Sequence, residues 1–220
     1  MKKIKALFVI DRNVNMATRD VEPTSQWVID DNSIATIKYD GTPALIKDGV
    51  LYKRWNRKIQ KKYLRFWKAD KQGFVPSLDM FVDVPNGAIQ IEEKPAPISL
   101  HFPYWVPVDF NDKADKKFAS AFELLDVKED GTYELIGEGI QGNVYELEGN
   151  KLVRHGSEVV KIQDYTFDGL KKFFSTLNAE GIVWHHPKDG RMVKLRRSHF
   201  NFEWREDVRD DKEARASFVP

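Results

Sequence analysis

Short apolar blocks, many of them bounded by Asp-Gly or Glu-Gly pairs, mark this chain as a series of strands with few helices. A first strand is predicted over residues 4–10. Residues 11–33 are polar, hold Pro23 and the turn cluster Asp30-Asp31-Asn32, and read mostly as loop. Residues 34–38 form a strand ending at Lys38. Residues 44–47 and 50–53 flank Asp48-Gly49, which favours the tight type I′ turn of a hairpin. Further strands are predicted at 121–127 and 132–136 around a Glu-Asp-Gly turn. Others lie at 144–147 and 151–154 around Glu148-Gly149-Asn150, and at 181–185 and 192–196 around Lys188-Asp189-Gly190.

Two segments follow a helical period instead. Stepped at ~100° per residue, residues 59–71 gather Ile59, Tyr63, Leu64, Phe66 and Trp67 on one side. Lys61, Lys62, Arg65 and Lys68 fall on the other. The aromatic side is expected in the core. The cationic side is either a solvated face or a surface for nucleic-acid phosphates. Residues 166–178 place Phe167, Leu170, Phe173, Phe174 and Leu177 on one face, with Thr166 as N-cap. Residues 73–110 are irregular, because their six prolines disfavour helices and central strands. Short strands are predicted there at 79–84 and 88–92. The charged tail after Trp204 reads as helical or frayed.

A length of 220 residues, 41% of them apolar, supports a genuine core, and a single domain over 1–220 is expected. Absence of cysteine excludes disulfides and thiolate metal sites. A formal net charge of +1 means that any affinity for a polyanion must come from a local patch. The N-terminal apolar run is too short for a signal peptide and ends at Asp11-Arg12, and no run approaches membrane-spanning length. A soluble, cytoplasmic protein without membrane association is expected. No partner protein is evident.

The most informative chemistry is Lys38-Tyr39-Asp40-Gly41. An amine stands at a strand end beside a carboxylate and a glycine that admits a bend and a close ligand approach. Downstream lie Arg54, Glu134 at the end of an apolar block, Glu180-Gly181-Ile182-Val183, and Lys194 two residues before Arg196. The alternation of a strand puts Lys194 and Arg196 on one face. A simple bulge is the bland alternative for Gly181. Gly137, Gly139 and Gly142 match no dinucleotide or P-loop pattern and read as turns. His185 and His186 are adjacent and point to opposite faces.

In this order the residues resemble the motif series of the covalent nucleotidyltransferase superfamily, from about Lys38 to Phe200. Lys38-x-Asp40-Gly41 is similar to the nucleophile motif of polynucleotide ligases and RNA capping enzymes, and Arg54 to the arginine after it. Tyr133-Glu134-Leu-Ile-Gly-Glu-Gly-Ile-Gln141, His155-Gly156 and Glu180-Gly-Ile-Val-Trp-His185 resemble most closely the small single-domain ATP-dependent RNA ligases. Arg196 departs from the family pattern, which has lysine there.

The resemblance implies an α/β (α+β) nucleotidyltransferase fold with mainly antiparallel sheets and no appended oligonucleotide-binding barrel. It implies Lys38 as the nucleophile towards ATP. Lys38, Arg54, Glu134, Glu180, Lys194 and Arg196 would bind the nucleotide. Asp40 and Glu180 would serve a magnesium or manganese ion, and His155 would be a candidate to stack on adenine. The implied substrate is RNA with 5′-phosphate and 3′-hydroxyl ends. The cationic face of 59–71, read from its own spacing and charge, is expected to hold RNA phosphates and to take no part in the first chemical step. A DNA ligase or capping enzyme of the same chemistry, or a catalytically silent RNA-binding module, are the alternatives.

Overall fold

The computed structural model describes residues 4–30 and 33–202. The charged tail after Trp204 and the Asp31-Asn32 pair therefore lie outside the described residues. The chain opens with β1 (Lys5–Ala6), β2 (Phe8–Asp11), β3 (Met16–Val21), a single turn α1 (Trp27–Asp30) and β4 (Ile34–Lys38). It continues with β5 (Thr42–Lys47), β6 (Val50–Asn56), α2 (Lys61–Ala69), β7 (Ile89–Gln90), β8 (Pro103–Pro107) and α3 (Lys116–Glu123). Then come β9 (Gly131–Gly137), β10 (Asn150–Arg154), α4 (Phe167–Thr176), β11 (Gly181–His185) and β12 (Met192–Arg196). The fold is α+β, and its sheets are mainly antiparallel, with β1 running parallel to β12. Among the described residues no helix is long and apolar enough to cross a membrane.

The chain forms two compact units. One takes Thr42–Leu135 and Gly149–Leu152; the other takes the described residues up to Gly41, Ile136–Glu148 and the chain from Val153 on. The first unit is built on a six-stranded sheet of order β10-β9-β5-β6-β8-β7. Its hairpin turn is formed as predicted, with Asp48 and Gly49 both at positive φ. Phe81, Leu100, Phe102, Tyr104 and Val106 form a buried cluster, with the Phe81 and Phe102 rings edge to face. The second unit carries a four-stranded sheet of order β1-β12-β11-β4. Ala35, Ile37, Ile182, Trp184, Val193 and Leu195 project from one side of it onto Leu170 and Phe174 of α4, and onto Phe8 and Phe200. Strands β4, β11 and β12 run over the predicted residues, and α4 begins as predicted where the Thr166 hydroxyl accepts from the Gly169 N–H.

Several expectations are corrected. Residues 4–10 are two strands, because Leu7 is fully buried and bonds to Lys194 and Glu22, so β1 and β2 take different partners. Residues 11–33 contain β3 and α1; β3 is only partly buried, so its apolar signal is weak. Residues 121–123 end a helix, α3, whose buried Phe118, Ala119, Ala121 and Phe122 follow helical spacing. Residues 144–147 form turns, with Asn143 bonded through its side chain to the Leu147 backbone. Residues 79–84 hold one 3-10 turn and an isolated bridge, and 88–92 shorten to β7. Conversely, β8 lies inside the sheet despite its prolines, which occupy only its first and last positions.

After β12 the chain makes a 3-10 turn over Arg197–Phe200 that closes the second unit. The buried Arg197 guanidinium donates to the carbonyls of Phe174 and Leu177 at the C-terminus of α4. Buried His199 accepts through Nδ1 from the Arg196 N–H at 3.3 Å. Burial, helped by the charges of Arg196 and Lys194, pushes His199 down from 6.5 to about 4. The unfolded chain therefore takes up this proton first as pH falls. The stability held by neutral His199 is complete above its unfolded value and is lost as pH falls from about 6.5 towards 4, amounting to about 3 kcal/mol at most. In His199→Gln the decline of Tm over that window is expected to be shallower than in wild type. Parallel Tm-against-pH curves for the two proteins would contradict this.

Candidate active site

In the second unit β11 lies between β4 and β12, and its register places Gly181 opposite both Lys38 and Arg196. Val183 stands opposite Thr36 and Lys194, and His185 opposite Ile34 and Met192. Directly opposed residues of antiparallel strands share a face. Lys38, Thr36, His185, Lys194 and Arg196 therefore all leave the sheet on the side away from α4. Both ladders run through five consecutive pairs, so no bulge occurs at Gly181. The glycine is needed for another reason: a Cβ there would lie under 3.0 Å from the Leu195 carbonyl oxygen.

Glu180 precedes this close approach. One of its carboxylate oxygens pairs with the Lys38 ammonium, and the other lies 2.8 Å from Arg196 Nε. The Glu180 side chain is only 14% exposed and that of Lys38 21%, so the pair is largely withdrawn from solvent. The Glu180 carbonyl accepts from the Arg197 N–H at 3.0 Å, fixing the strand end that presents the carboxylate. Thr36 donates to the Val183 carbonyl and lies 2.9 Å from His185 Nε2. Burial, and then the nearby His155, lower the basicity of His185. His155 itself is half-buried just beyond β10.

The turn after Lys38 is held by residues that the sequence motifs do not name. The Asp40 N–H donates to the Tyr145 hydroxyl at 2.7 Å. The Tyr39 and Tyr145 rings meet edge to face at 5.5 Å, and the Tyr39 hydroxyl donates to the Glu158 carboxylate. Burial above all, then neighbouring carboxylates, raise both phenols well above their ordinary value, so both stay protonated. Gln141, in the glycine-spaced loop, donates to the Gly41 carbonyl at 3.4 Å. The loop thus helps hold the turn after the lysine. Tyr145 and Glu158 escape sequence reasoning because they reach the turn from more than a hundred residues away, without a local signal, whereas Gln141 closes the glycine-spaced motif.

Arg54 and Glu134 belong to the first unit. Glu134 is a buried carboxylate on β9 opposite Pro43, and Arg54 is opposite Trp105 on β6, with its guanidinium 2.9 Å from His101 Nε2. The register of β9, β5 and β6 puts Glu134, Pro43 and Arg54 on the same face of that sheet. The structure thus gathers Lys38, Asp40, Glu180, Lys194 and Arg196 in one unit and aligns Arg54 with Glu134 in the other. Among the described residues no group of three or more His, Asp or Glu side chains forms a metal cluster. The two carboxylates Asp40 and Glu180 fit magnesium or manganese bound mainly through water and phosphate oxygens, the way magnesium is usually held beside nucleotides.

The RNA ligase 1 family model matches residues 111–213. RNA ligase 1 of Danio rerio is 28% identical over 86% of this chain and 74% of its own length. RNA ligase 1 of Rattus norvegicus is 29% identical over 79% of this chain and 69% of its own, and that of Mus musculus is 28% identical over similar shares. The matched stretch contains Glu134, Glu180, Lys194 and Arg196, the charged residues that share the two sheet faces with Arg54 and Lys38. Sequence match and strand register thus agree in making this chain similar to the RNA ligase 1 proteins over most of its length.

Proposed function

We propose that this protein is an ATP-dependent RNA ligase that joins a 5′-phosphate to a 3′-hydroxyl through a covalent lysyl-AMP at Lys38. The observation that carries the reading is the Lys38–Glu180–Arg196 arrangement, an amine at a strand end held by a carboxylate that a second cation shares. Lys38 Nζ, once deprotonated, forms a bond to the α-phosphorus of ATP, and pyrophosphate departs. An oxygen of the RNA 5′-phosphate then forms a bond to the phosphorus of that AMP, and the lysine leaves. Finally the 3′-hydroxyl attacks the RNA 5′-phosphate and AMP is released. Each step is displacement at phosphorus, in which positioned charge does most of the stabilising.

The chain's own residues divide this work. Glu180 holds the ammonium in the resting protein and keeps Nζ on the exposed side of the sheet. Arg196, relieved of Glu180 as that carboxylate turns to its next partner, joins Lys194 as a cation for phosphate oxygens. Its planar, permanently charged guanidinium suits that exchange. Tyr145 fixes the Asp40 backbone, and with it the direction of the Asp40 carboxylate. The resemblance would give Arg54 a role at ribose or phosphate and Glu134 one at the ribose or the metal shell. A bound magnesium or manganese ion, near Asp40 and Glu180, would neutralise charge on the phosphates.

Incubation of the protein with α-labelled ATP and magnesium or manganese should label it, with the mass gain of AMP. Lys38→Ala should abolish the label, and undiminished labelling of that variant would remove Lys38 as nucleophile. A wild-type protein that binds RNA but never takes up label would favour the silent-module alternative.

RNA should be preferred over DNA, because the Glu134–Gln141 stretch resembles RNA ligases and the relatives are named as such. Nicked or single-stranded RNA with a 5′-phosphate should be sealed and an all-DNA nick sealed poorly. Equal sealing of both would favour the DNA-ligase alternative.

Tyr145→Phe keeps the ring and removes the hydroxyl that accepts from the Asp40 N–H. Its self-adenylation kcat is expected to fall roughly tenfold, the order of one lost hydrogen bond, with KM for ATP little changed. A loss confined to Tm, with kcat per folded molecule intact, would make Tyr145 merely structural.

A further inference from the structure

The outward face of α2 has a composition that neither the core nor the nucleotide site explains. Residues 57–71 carry seven lysines and arginines against one acid, Asp70, in a chain whose formal net charge is +1. Asp70 folds back on its own turn and accepts from the N–H groups of Gln72 and Gly73. Among the described residues, none of the ion pairs engages Lys61, Lys62, Arg65 or Lys68. Lys61, Lys62, Arg65 and Lys68 are all exposed, and α2 has no fully buried residue.

The anchoring of α2 departs from the sequence expectation at one residue. Trp67 packs on the Phe81 and Phe102 cluster and donates its indole N–H to the Ile98 carbonyl at 3.2 Å. Tyr63 and Leu64 are half-buried beside it. Phe66, expected on this inner side, is instead 51% exposed. It stands one turn after Lys62, ~40° away around the helix, at the border of the cationic face. The Arg65 guanidinium lies 4.7 Å from the centre of its ring. A solitary exposed phenylalanine needs no explanation. One set into a row of four cations outside any ion pair, with a guanidinium over the ring, offers two kinds of interaction at once: charge for phosphates and a flat apolar surface for a base.

We propose that this face of α2 is a binding platform for single-stranded RNA, in which Lys61, Lys62, Arg65 and Lys68 meet successive phosphates and Phe66 stacks on an unpaired base. The inference rests on the RNA-ligase reading for the identity of the polyanion and adds to it the form of RNA taken. A duplex keeps its bases stacked on one another and shows a protein chiefly phosphates and 2′-hydroxyls. It could use the cations but not the ring. An unpaired strand uses both.

The test measures affinity of the whole protein, without ATP, for a short unstructured oligoribonucleotide and for a blunt RNA duplex of equal length, across a series of salt concentrations. Phe66→Ala is expected to weaken single-strand binding roughly tenfold, within the range of one stacked base. It should leave duplex affinity and both salt slopes unchanged, and Phe66→Trp should restore the loss. Replacing Lys61, Lys62, Arg65 and Lys68 with Gln should flatten the dependence of log K on log salt for the single strand, by about 0.7 for each phosphate no longer neutralised. Circular dichroism and Tm equal to wild type establish that the variants are folded, since these side chains face solvent. Wild-type single-strand affinity in Phe66→Ala, or an equal loss on duplex, would overturn the stacking role. An unchanged salt slope in the four-residue variant would overturn the platform altogether. Self-adenylation of the wild-type protein is scored separately: its failure would remove the ligase reading without touching these binding results.

Discussion

At Gly181 the backbone of β11 approaches β12 so closely that even a methyl group would collide with the Leu195 carbonyl oxygen. The charged centre of the second unit depends on that approach. It keeps β11 in unbroken register with both neighbours, so Lys38 and Arg196 leave the sheet on either side of the same residue. Glu180, one position earlier, then reaches both cations with its two oxygens. A side chain at 181 would have to displace strand backbone rather than a flexible tip, and the carboxylate would lose its fixed distance from one partner. The apolar side of the same sheet resists such movement, because Ile182, Trp184 and Leu195 are fully buried directly behind the charged row.

A carboxylate shared by two cations is electrostatically balanced only while both are present. Burying charge is costly unless it is paired, and the Lys38–Glu180–Arg196 group meets that condition with mostly withdrawn side chains. Loss of the lysine charge, on acylation or phosphorylation of the amine, would leave Glu180 with Arg196 alone. Arginine at 196, with its permanent charge where a lysine could lose its own, keeps that remaining pair charged. The chemistry at Nζ and the choice of residue two strands away are thus linked through one carboxylate.

Much of the sheet is legible in the sequence because its strands alternate cleanly and end at turn residues. Strands β4, β11 and β12, the Asp48-Gly49 hairpin and the Thr166 cap all follow from local chemistry. Local chemistry fails where burial is partial or where an element is defined by distant partners. Strand β3 has no strong apolar side, α3 shows its helical period only when Phe118 and Ala119 are read together with Ala121 and Phe122, and β8 tolerates proline because only its ends carry it. At the candidate site the motif order singles out Lys38, Asp40, Glu180 and Arg196, which the structure brings together. It does not disclose Tyr145 or Glu158, whose hydrogen bonds with residues 39 and 40 span more than a hundred positions. Phe66 departs from its expected side because a helical wheel has no means of knowing that Trp67 takes the anchoring position.

The two units are threaded through the chain unequally, and synthesis from the N-terminus meets them in different orders. Most of the first unit lies in one continuous stretch, Thr42–Leu135. The second opens the chain, yet β1 pairs with β12, so Lys5 must await Val193 before its ladder can close. Strand β4 likewise waits more than a hundred positions for its neighbours, residues 158–160 on one edge and β11 on the other. On the ribosome, the sheet edge bearing the lysine therefore stays unpaired while the intervening unit can already be folding. Lys38 is translated 142 positions before Glu180, so its amine stays without its carboxylate partner until that residue has been made.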